Sequence, residues 1–329
     1  MKLRTPLCDL LGIEHPIFCA PMGFITGPEL AAAVSEAGGL GIMSFGRNPA
    51  HLLRQDIRRV RSETARPFGV NMLLPADVTE HVAVCIEERV PLLSFFWGDP
   101  GPFVQPAHEA GLKVMHQVGS VAEAVEAARA GVDVIIAQGV EGGGHIRGEV
   151  STLALVPCVV DAVPSTPVVA SGGIADSRGL LAALALGAQG AVLGTRFLAA
   201  AEARTHPVYQ QKILAANETD TVRTTLFGYS WPNAPHRTLR TRFVEEWLSQ
   251  EARGNEGRPD EPVVGATTVG GETVQVRRFM GFTPHRETSG DIESMALYAG
   301  QGVGLVSHVQ PAGEIVRQLV VEADSILRR

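Results

Sequence analysis

Short apolar runs alternate with longer segments of helical spacing along the first 200 positions of the chain. Runs rich in β-branched residues are typical of buried parallel strands, and the longer segments are typical of amphipathic helices. The strands that this pattern predicts cover residues 16–21, 40–45, 68–74, 92–97, 113–118, 132–138, 167–171 and 190–197. Eight strands that alternate with helices predict an α/β fold, and within that class a TIM (β/α)8 barrel.

Glycines and polar caps at the predicted helix ends support this alternation. Four glycines follow alanine- or leucine-rich segments and come directly before apolar runs: Gly38, Gly111, Gly131 and Gly187. Glycine just past a helix end adopts the left-handed conformation at little cost. Ser120 and Glu123 form a predicted capping box for the helix through Arg129, and Asp176 is the predicted cap of the helix through Leu186.

An open doubly wound sheet is the competing fold. Such a sheet usually carries a GxGxxG motif in its first strand-to-helix turn. The glycines at 38–41 come before their strand instead of after it, and the glycine-rich segment at 300–304 lacks the third spaced glycine. The barrel is therefore preferred, and its ligands are expected at the carboxyl ends of the strands.

The composition changes after the eighth predicted strand. Residues 205–290 are richer in Thr, Arg, Pro and Gly, with one predicted helix over 238–251. The end, 292–329, returns to an apolar helical pattern with a predicted glycine-rich turn at 300–304 between two helices. We therefore predict a barrel from 1–204 and 291–329, whose wall the chain end completes, and a smaller substrate-covering insertion at 205–290.

Composition and charge narrow the class of protein. The chain has 329 residues, 45% of them hydrophobic and 19% charged, and no apolar run long enough to span a membrane. A net charge of −7 disfavours a nucleic-acid surface, which needs concentrated Lys and Arg. Residues 1–6 lack signal-peptide character, so we expect a cytoplasmic protein without a membrane partner. The cysteines, which lack the spacing of a metal site, are expected to be reduced core residues: Cys8, Cys19, Cys85 and Cys158.

Small residues at the ends of strands seven and eight predict a phosphate site. Ser171, Gly172 and Gly173 end strand seven, and Gly194 and Thr195 follow in strand eight. Many TIM barrels bind phosphate through backbone N–H groups of these two loops. A tight turn is the alternative for the Gly172–Gly173 pair alone, but the paired loops favour a phosphate.

Neutral amide side chains mark the ends of three other strands. Asn71, Gln117 and Gln138 lie in otherwise apolar strands, where an unpaired amide costs on the order of 1–3 kcal/mol. They suit the hydrogen-bonding edge of a heterocycle, and the alternative is a side-chain network that closes the barrel mouth.

Strand six continues into a loop of glycines that ends in His145. Gly143 and Gly144 would let the backbone approach a ligand closely, and imidazole moves protons near neutral pH. The alternative is a surface loop with a solvated histidine.

Together these segments resemble the nitronate monooxygenase family, formerly called 2-nitropropane dioxygenases. The resemblance rests on Ala20-Pro21-Met22, Asn71, the glycine-rich segment 138–145, and the segments 170–176, 193–197 and 299–305, and it runs from about residue 16 to 305. It implies FMN held without a covalent bond, with its phosphate on the 171–173 and 194–195 loops, and His145 as the catalytic residue. Tyr298 and Gln301 are assigned to the substrate.

The chain departs from the family pattern at three places. Gly142 stands where the family often has alanine, and Ile146 comes between His145 and Arg147. Gln117 stands where many members have lysine, which would change the charge near the flavin.

The resemblance implies oxidation of alkyl nitronates, and by extension nitroalkanes, by O₂ to carbonyl compounds and nitrite. His145 would either remove the proton α to the nitro group or stabilise the nitronate as imidazolium. The same pattern occurs in NAD(P)H-dependent, FMN-containing enoyl-ACP and quinone reductases, which are the alternative. A flavin-binding barrel without catalysis is the third reading, and an oligomer is compatible with all three.

Overall fold

A closed barrel of parallel strands forms the centre of the computed structural model, which describes residues 3–44 and 48–328. The first nine strands in chain order are β1 (Ile17–Cys19), β2 (Leu40–Ser44), β3 (Gly69–Leu73), β4 (Leu92–Phe96), β5 (Lys113–Val118), β6 (Val134–Gln138), β7 (Gly144–His145), β8 (Val168–Ser171) and β9 (Ala191–Leu193). All except β7 belong to the barrel, which closes where Phe18 of β1 pairs with Val192 of β9. The predicted TIM barrel is confirmed.

The helices lie between the strands as predicted. They are α1 (Pro6–Leu11), α2 (Pro28–Glu36), α3 (Ala50–Glu63), α4 (Thr79–Glu87), α5 (Gly101–Glu109), α6 (Val121–Arg129), α7 (Thr152–Ala162), α8 (Ser177–Ala185), α9 (Thr195–Leu198), α10 (Pro207–Ala215), α11 (Arg242–Trp247) and α12 (Ala312–Leu327). The last of these packs against α2 and α8, so the chain end completes the barrel wall. Within the described residues, no helix is long and apolar enough to cross a membrane.

The local signals at the helix ends are confirmed. The four junction glycines have φ values of 87°, 81°, 90° and 94° in the order Gly38, Gly111, Gly131 and Gly187. The Ser120 side chain accepts from the backbone N–H of Glu123, and Asp176 accepts from those of Arg178 and Gly179. The glycines mark where helices end, and the two capping residues mark where helices begin.

Three predicted boundaries are wrong. The eighth predicted strand corresponds to β9, and it was expected to run to Phe197 but ends at Leu193. The chain turns at Gly194 into α9, whose buried apolar residues pack outside the barrel. The helix over 238–251 begins only at Arg242, since Thr238 pairs with Val222 in an antiparallel sheet and Thr241 caps the helix. The segment 300–304 is not a turn between two helices: a 3-10 helix covers Gln301–Leu305, and only a short 3-10 turn, Ile292–Ser294, precedes it.

Two smaller points also concern predicted positions. Cys8, Cys19 and Cys85 are buried as expected, but Cys158 is exposed on the outer face of α7. The predicted end of strand two at Phe45 lies outside the described residues, as do Met1, Lys2 and Arg329.

Residues 205–290 contribute two small antiparallel sheets. In the first, β10 (Thr221–Thr224) and β11 (His236–Leu239) pair with each other, and β11 also pairs with β7. In the second, β12 (Val263–Val269) lies between β13 (Glu272–Arg277) and β14 (Ser289–Gly290). The division into a barrel domain and an insertion domain remains a prediction.

Side chains alternate between the barrel interior and the layer beneath the helices. Phe18, Leu92, Met115, Ile136 and Val192 belong to a cluster that fills the interior. Their sequence neighbours along each strand belong to a separate cluster packed under the helices. Because side chains alternate along a strand, a strand-end residue faces the barrel axis when it lies an even number of positions from an interior residue of that strand. We call this the parity of the strand.

Candidate functional site

The parity of the strands brings six of the predicted site residues to one layer at the barrel mouth. Ala20, Gln117, Gln138, Ser171 and Gly194 each lie two positions beyond an interior core residue of their strand. Asn71 pairs with Ser94, which lies two positions beyond the interior residue Leu92 of β4. His116, by contrast, lies at a position of β5 that faces the layer beneath the helices. The sequence therefore located the inner layer of the mouth, although its residues are up to 174 positions apart.

Two amides of this layer keep part of their hydrogen-bonding capacity free. The Oδ1 of Asn71 accepts from the Ser94 hydroxyl at 3.1 Å. The Nε2 of Gln138 donates to the His145 carbonyl at 3.2 Å, while its Oε1 is buried and has no hydrogen-bond partner in the described residues. An acceptor left in this state is costly unless a ligand donates to it. The arrangement fits the N–H edge of a heterocycle.

The loops after β8 and β9 present unused backbone donors. No atom of residues 3–44 and 48–328 accepts a hydrogen bond from the N–H groups of Gly172, Gly173, Gly194 or Thr195. Gly172 and Gly173 have φ values of 111° and 71°, and a Cβ on Gly172 would lie 2.7 Å from the Thr152 Oγ1. Only glycine fits this turn without strain. The four N–H groups match the needs of a phosphate monoester.

The end of the first strand lies beside this pair of loops. A Cβ on Gly194 would be 3.6 Å from the Ala20 Cβ and 3.8 Å from the Met22 Sδ. Pro21 lies between these two neighbours in the chain. The first and eighth strand ends thus form one continuous rim next to the predicted phosphate site.

The two predicted ligand-loop glycines have different surroundings. A Cβ on Gly143 would lie 2.6 Å from the Gly300 backbone nitrogen, so Gly143 allows two backbone segments to touch. Gly144 has a φ of 72° with open space around it. The glycine at 143 is therefore required for packing against the 299–305 segment, and the glycine at 144 for backbone conformation.

Glu141 is a structural carboxylate. Both of its carboxylate oxygens accept from the Thr152 backbone N–H, at 3.1 and 2.9 Å, and its Oε2 also accepts from the Thr152 hydroxyl at 2.9 Å. Its backbone carbonyl accepts from the Gln301 N–H at 3.0 Å. Glu141 thus caps α7 and anchors the 3-10 helix.

The two residues assigned to the substrate lie apart. Tyr298 contacts the His145 ring, with ring centroids 5.6 Å apart. Gln301 instead lines a cavity of about 560 Å³, together with Gly172, Gly173 and Leu305, and neither His145 nor Tyr298 is among its lining residues. The assignment of both residues to substrate binding remains a prediction.

His145 is held by residues from the 205–290 segment. It lies opposite His236 in the pairing of β7 with β11, and the next residue, Ile146, donates its N–H to the Pro235 carbonyl at 2.8 Å. The His145 imidazole stacks on Trp231 with centroids 4.4 Å apart. Its Nε2 is buried without a hydrogen-bond partner in the part of the chain that the structure describes.

Burial keeps the His145 imidazole neutral. Loss of solvation, and to a smaller extent the neighbouring His236, together lower the pKa of His145 to about 3. At neutral pH the side chain therefore carries no charge, and one ring nitrogen has an open lone pair. This is the protonation state of a base.

His236 was not among the residues that the sequence indicated. Its Nε2 accepts from the Phe227 N–H at 3.3 Å and its Nδ1 donates to the Ala234 carbonyl at 3.0 Å. Both bonds require the neutral tautomer, and burial lowers the pKa of His236 to about 4. No spacing in the sequence pointed to His236, Trp231 or Trp97, because they meet His145 only through folding.

Comparison with known proteins finds a matching family and several similar proteins. The profile of the family described as nitronate monooxygenase matches residues 4–81 and 76–322. A relative from Mycobacterium tuberculosis named (3aS,4S,5R,7aS)-5-hydroxy-7a-methyl-1-oxo-octahydro-1H-indene-4-carboxyl-CoA dehydrogenase is 41% identical over 77% of this chain and 71% of its own length. A probable nitronate monooxygenase from Staphylococcus aureus is 31% identical over 99% of both chains. The structure of FabK from Thermotoga maritima superposes with a TM-score of 0.82 and 38% identity, covering 99% of this chain and 97% of that one.

Proposed function

Because the chain belongs to the nitronate monooxygenase family and is an oxidoreductase, we propose that it holds FMN at the barrel mouth and oxidises nitronates with O₂ to carbonyl compounds and nitrite. Nitroalkanes enter the same reaction once their α proton is removed. The observation that carries the proposal is the neutral, buried His145 with an unpartnered Nε2.

The residues at the mouth fit FMN. The N–H groups of Gly172, Gly173, Gly194 and Thr195 would donate to the phosphate, since nothing in the described chain uses them. The amides of Asn71, Gln117 and Gln138 would bind the ring edge, with the free Gln138 Oε1 accepting from a ring N–H. When bound, FMN supplies the two-electron redox chemistry and the reactivity toward oxygen.

His145 prepares the substrate. Its neutral imidazole accepts the α proton of a nitroalkane at a ring nitrogen, and the electron pair of the broken C–H bond remains on the substrate as the nitronate. A preformed nitronate bypasses this step. The neutral ring has the lone pair that this role needs, although its low pKa makes it a weak base, and an imidazolium would require His145 to be protonated.

Reduction of a thioester or a quinone by NAD(P)H is the second candidate. It is favoured by the similarity to FabK and to the CoA dehydrogenase, both more identical to this chain than the probable nitronate monooxygenase. In this reaction His145 would have to donate a proton. A neutral His145 would first have to take up that proton, and the family match over residues 4–81 and 76–322 supports oxidation as the first candidate.

Two assays on the same FMN-loaded preparation distinguish the candidates. One follows nitrite release from an alkyl nitronate in air, and the other follows anaerobic flavin bleaching by NADH or NADPH. We expect nitronate oxidation to be faster than NAD(P)H oxidation. Rapid bleaching without nitrite from any nitronate would identify a reductase, and an FMN-loaded protein inert in both assays would be a non-catalytic flavin barrel.

A further inference from the structure

Trp97, directly after β4, combines backbone strain with an unused hydrogen-bond donor. Its φ of 61° lies in the left-handed region that non-glycine residues avoid. Its indole Nε1 is buried and has no acceptor within the described residues. Strained residues with unpaired buried groups concentrate at sites where a ligand supplies the missing contact.

Trp97 begins a row of contacting rings that leads to His145. We call Trp97, Trp231 and His145 the aromatic row. Its centroids are 4.8 Å apart from Trp97 to Trp231, whose planes are tilted by 60°, and 4.4 Å from Trp231 to His145, whose rings are stacked. The Tyr298 ring lies beside the His145 end at 5.6 Å. The row therefore places aromatic side chains next to the proposed base.

Arg147 strengthens the Trp97 donor. Its guanidinium lies 4.8 Å from the centroid of the Trp97 ring and is paired with Glu123 at 2.5 Å. A cation on the indole face draws electron density from the ring and makes the N–H a better donor toward an anion. Arg147 lies two residues beyond His145, with the buried Ile146 between them.

We propose that the site is built for a nitronate that carries an aryl ring, with one nitronate oxygen accepting a hydrogen bond from Trp97 Nε1 and the ring stacking against the aromatic row. This inference rests on the proposed function and names its substrate class. The oxygen satisfies a donor that the described residues leave unpaired. A small aliphatic nitronate satisfies the same donor but has no ring to pack against the aromatic row.

Benzoate tests this without turnover. Its planar carboxylate has the shape and charge of a nitronate attached to a phenyl ring, and acetate is the counterpart without the ring. We expect isothermal titration of the FMN-loaded protein to show benzoate binding at least tenfold tighter than acetate. Trp97→Phe keeps an aromatic ring but removes the N–H, so its affinity for benzoate should fall about tenfold.

Trp247→Phe is the matched control, since Trp247 packs on Phe279 and Arg278 away from the aromatic row. It should bind benzoate like the unmodified protein. Equal benzoate affinity in Trp97→Phe and the unmodified protein would overturn the role of Trp97. Equal affinity for acetate and benzoate would overturn the aryl substrate class.

A second measurement does not depend on the variants folding. The chain has three tryptophans, so a protein labelled with ¹⁵N at the indole nitrogen gives three indole resonances. Benzoate should move the proton of one of them downfield, as expected for a new hydrogen bond to an anion, and absence of any such shift at saturating benzoate would contradict the proposal. Neither the titration nor the resonance shift requires turnover. Nitrite release therefore tests the proposed function independently of the aryl substrate class.

Discussion

Burial sets the charge of the histidines near the barrel mouth. Loss of solvation lowers the pKa of His145 to about 3 and those of His116 and His236 to about 4. The hydrogen bonds of His236 independently require the neutral ring. Of the two adjacent imidazoles, His236 uses both ring nitrogens in backbone hydrogen bonds, whereas His145 keeps an Nε2 without a partner among the described residues.

His145→Asn should lower nitrite production by about 10²–10⁴-fold while FMN stays bound, because other loops carry the cofactor contacts. The loss in kcat/KM should be larger with a neutral nitroalkane than with the preformed nitronate, which has already lost its α proton. His308→Asn, on the exposed surface, is the control. Equal losses on both substrates would indicate charge stabilisation instead, and full activity would place the chemistry elsewhere around the mouth.

The buried histidines also predict how stability depends on pH. An unfolded histidine binds a proton near pH 6.5, whereas His116 in the fold does so only near pH 4. The unfolded state therefore binds more protons between these values, and stability is lost as the pH falls, by at most about 1.4 kcal/mol per pH unit for each such histidine. Urea unfolding of the FMN-saturated protein at pH 7, 6 and 5 measures this loss.

His116→Leu isolates one of these contributions. Its side chain belongs to the apolar layer beneath the helices, so leucine removes the titration without exposing a cavity to water. The slope of unfolding free energy against pH should be smaller than in the unmodified protein. An unchanged slope would mean that His116 does not contribute.

Individual site residues were predictable to different degrees. Asn71, Gln138 and the loop glycines stand out in the sequence, because a polar or glycine residue in an apolar strand end is a local signal. Trp97, Trp231 and His236 gave no such signal, because single tryptophans and histidines outside a recognised motif are unremarkable until ring contacts join them to His145.

At the scale of elements, the contact of the His145 loop with the 299–305 segment is made by backbone atoms. Gly143 lies against Gly300, and a Cβ on Gly302 would lie 2.7 Å from the Gly173 carbonyl oxygen. The glycine-rich stretch near the chain end thus seals the side of the site next to the phosphate loops.

Gly143→Ala and Gly144→Ala should separate packing from backbone strain. Gly144 has a left-handed φ but free space, so alanine there should cost about 1–2 kcal/mol. At Gly143 the new methyl group would collide with the Gly300 backbone, and overpacking of this kind costs about 1–3 kcal/mol. Only Gly143→Ala should also weaken FMN binding, measured by flavin fluorescence, because it displaces the segment that holds Thr195 through the Gly300 N–H. Equal FMN affinity in both variants would contradict this coupling.

Helix ends were easier to predict than strand ends. Left-handed glycines and side-chain caps act within a few residues, so the sequence around Gly131 or Asp176 contains the whole signal. The apolar run through Phe197 contains no such stop, and whether it continues as a strand or turns into α9 is decided by packing outside the barrel. The pairing of Thr238 with β10 depends likewise on a strand that the local sequence does not contain.

For the whole molecule, the closed barrel and its unused donors predict about one FMN per chain. The flavin-free protein should regain stability on adding FMN, by about 2.7 kcal/mol when free FMN is one hundred times the dissociation constant. Thermal unfolding with and without FMN, with riboflavin as the control that lacks the phosphate, measures this gain. A protein that is isolated colourless and ignores micromolar FMN would contradict the cofactor assignment.

The pairing of β7 with β11 also bears on how this family could diversify. His145 follows a barrel strand in the sequence but belongs to a sheet built by residues after position 205. Exchange of residues 205–290 between relatives would therefore replace the residues that hold the His145 imidazole and keep it neutral. New substrate preferences could not be acquired by swapping that segment alone, and changes in it and in the loop after β6 would have to be inherited together.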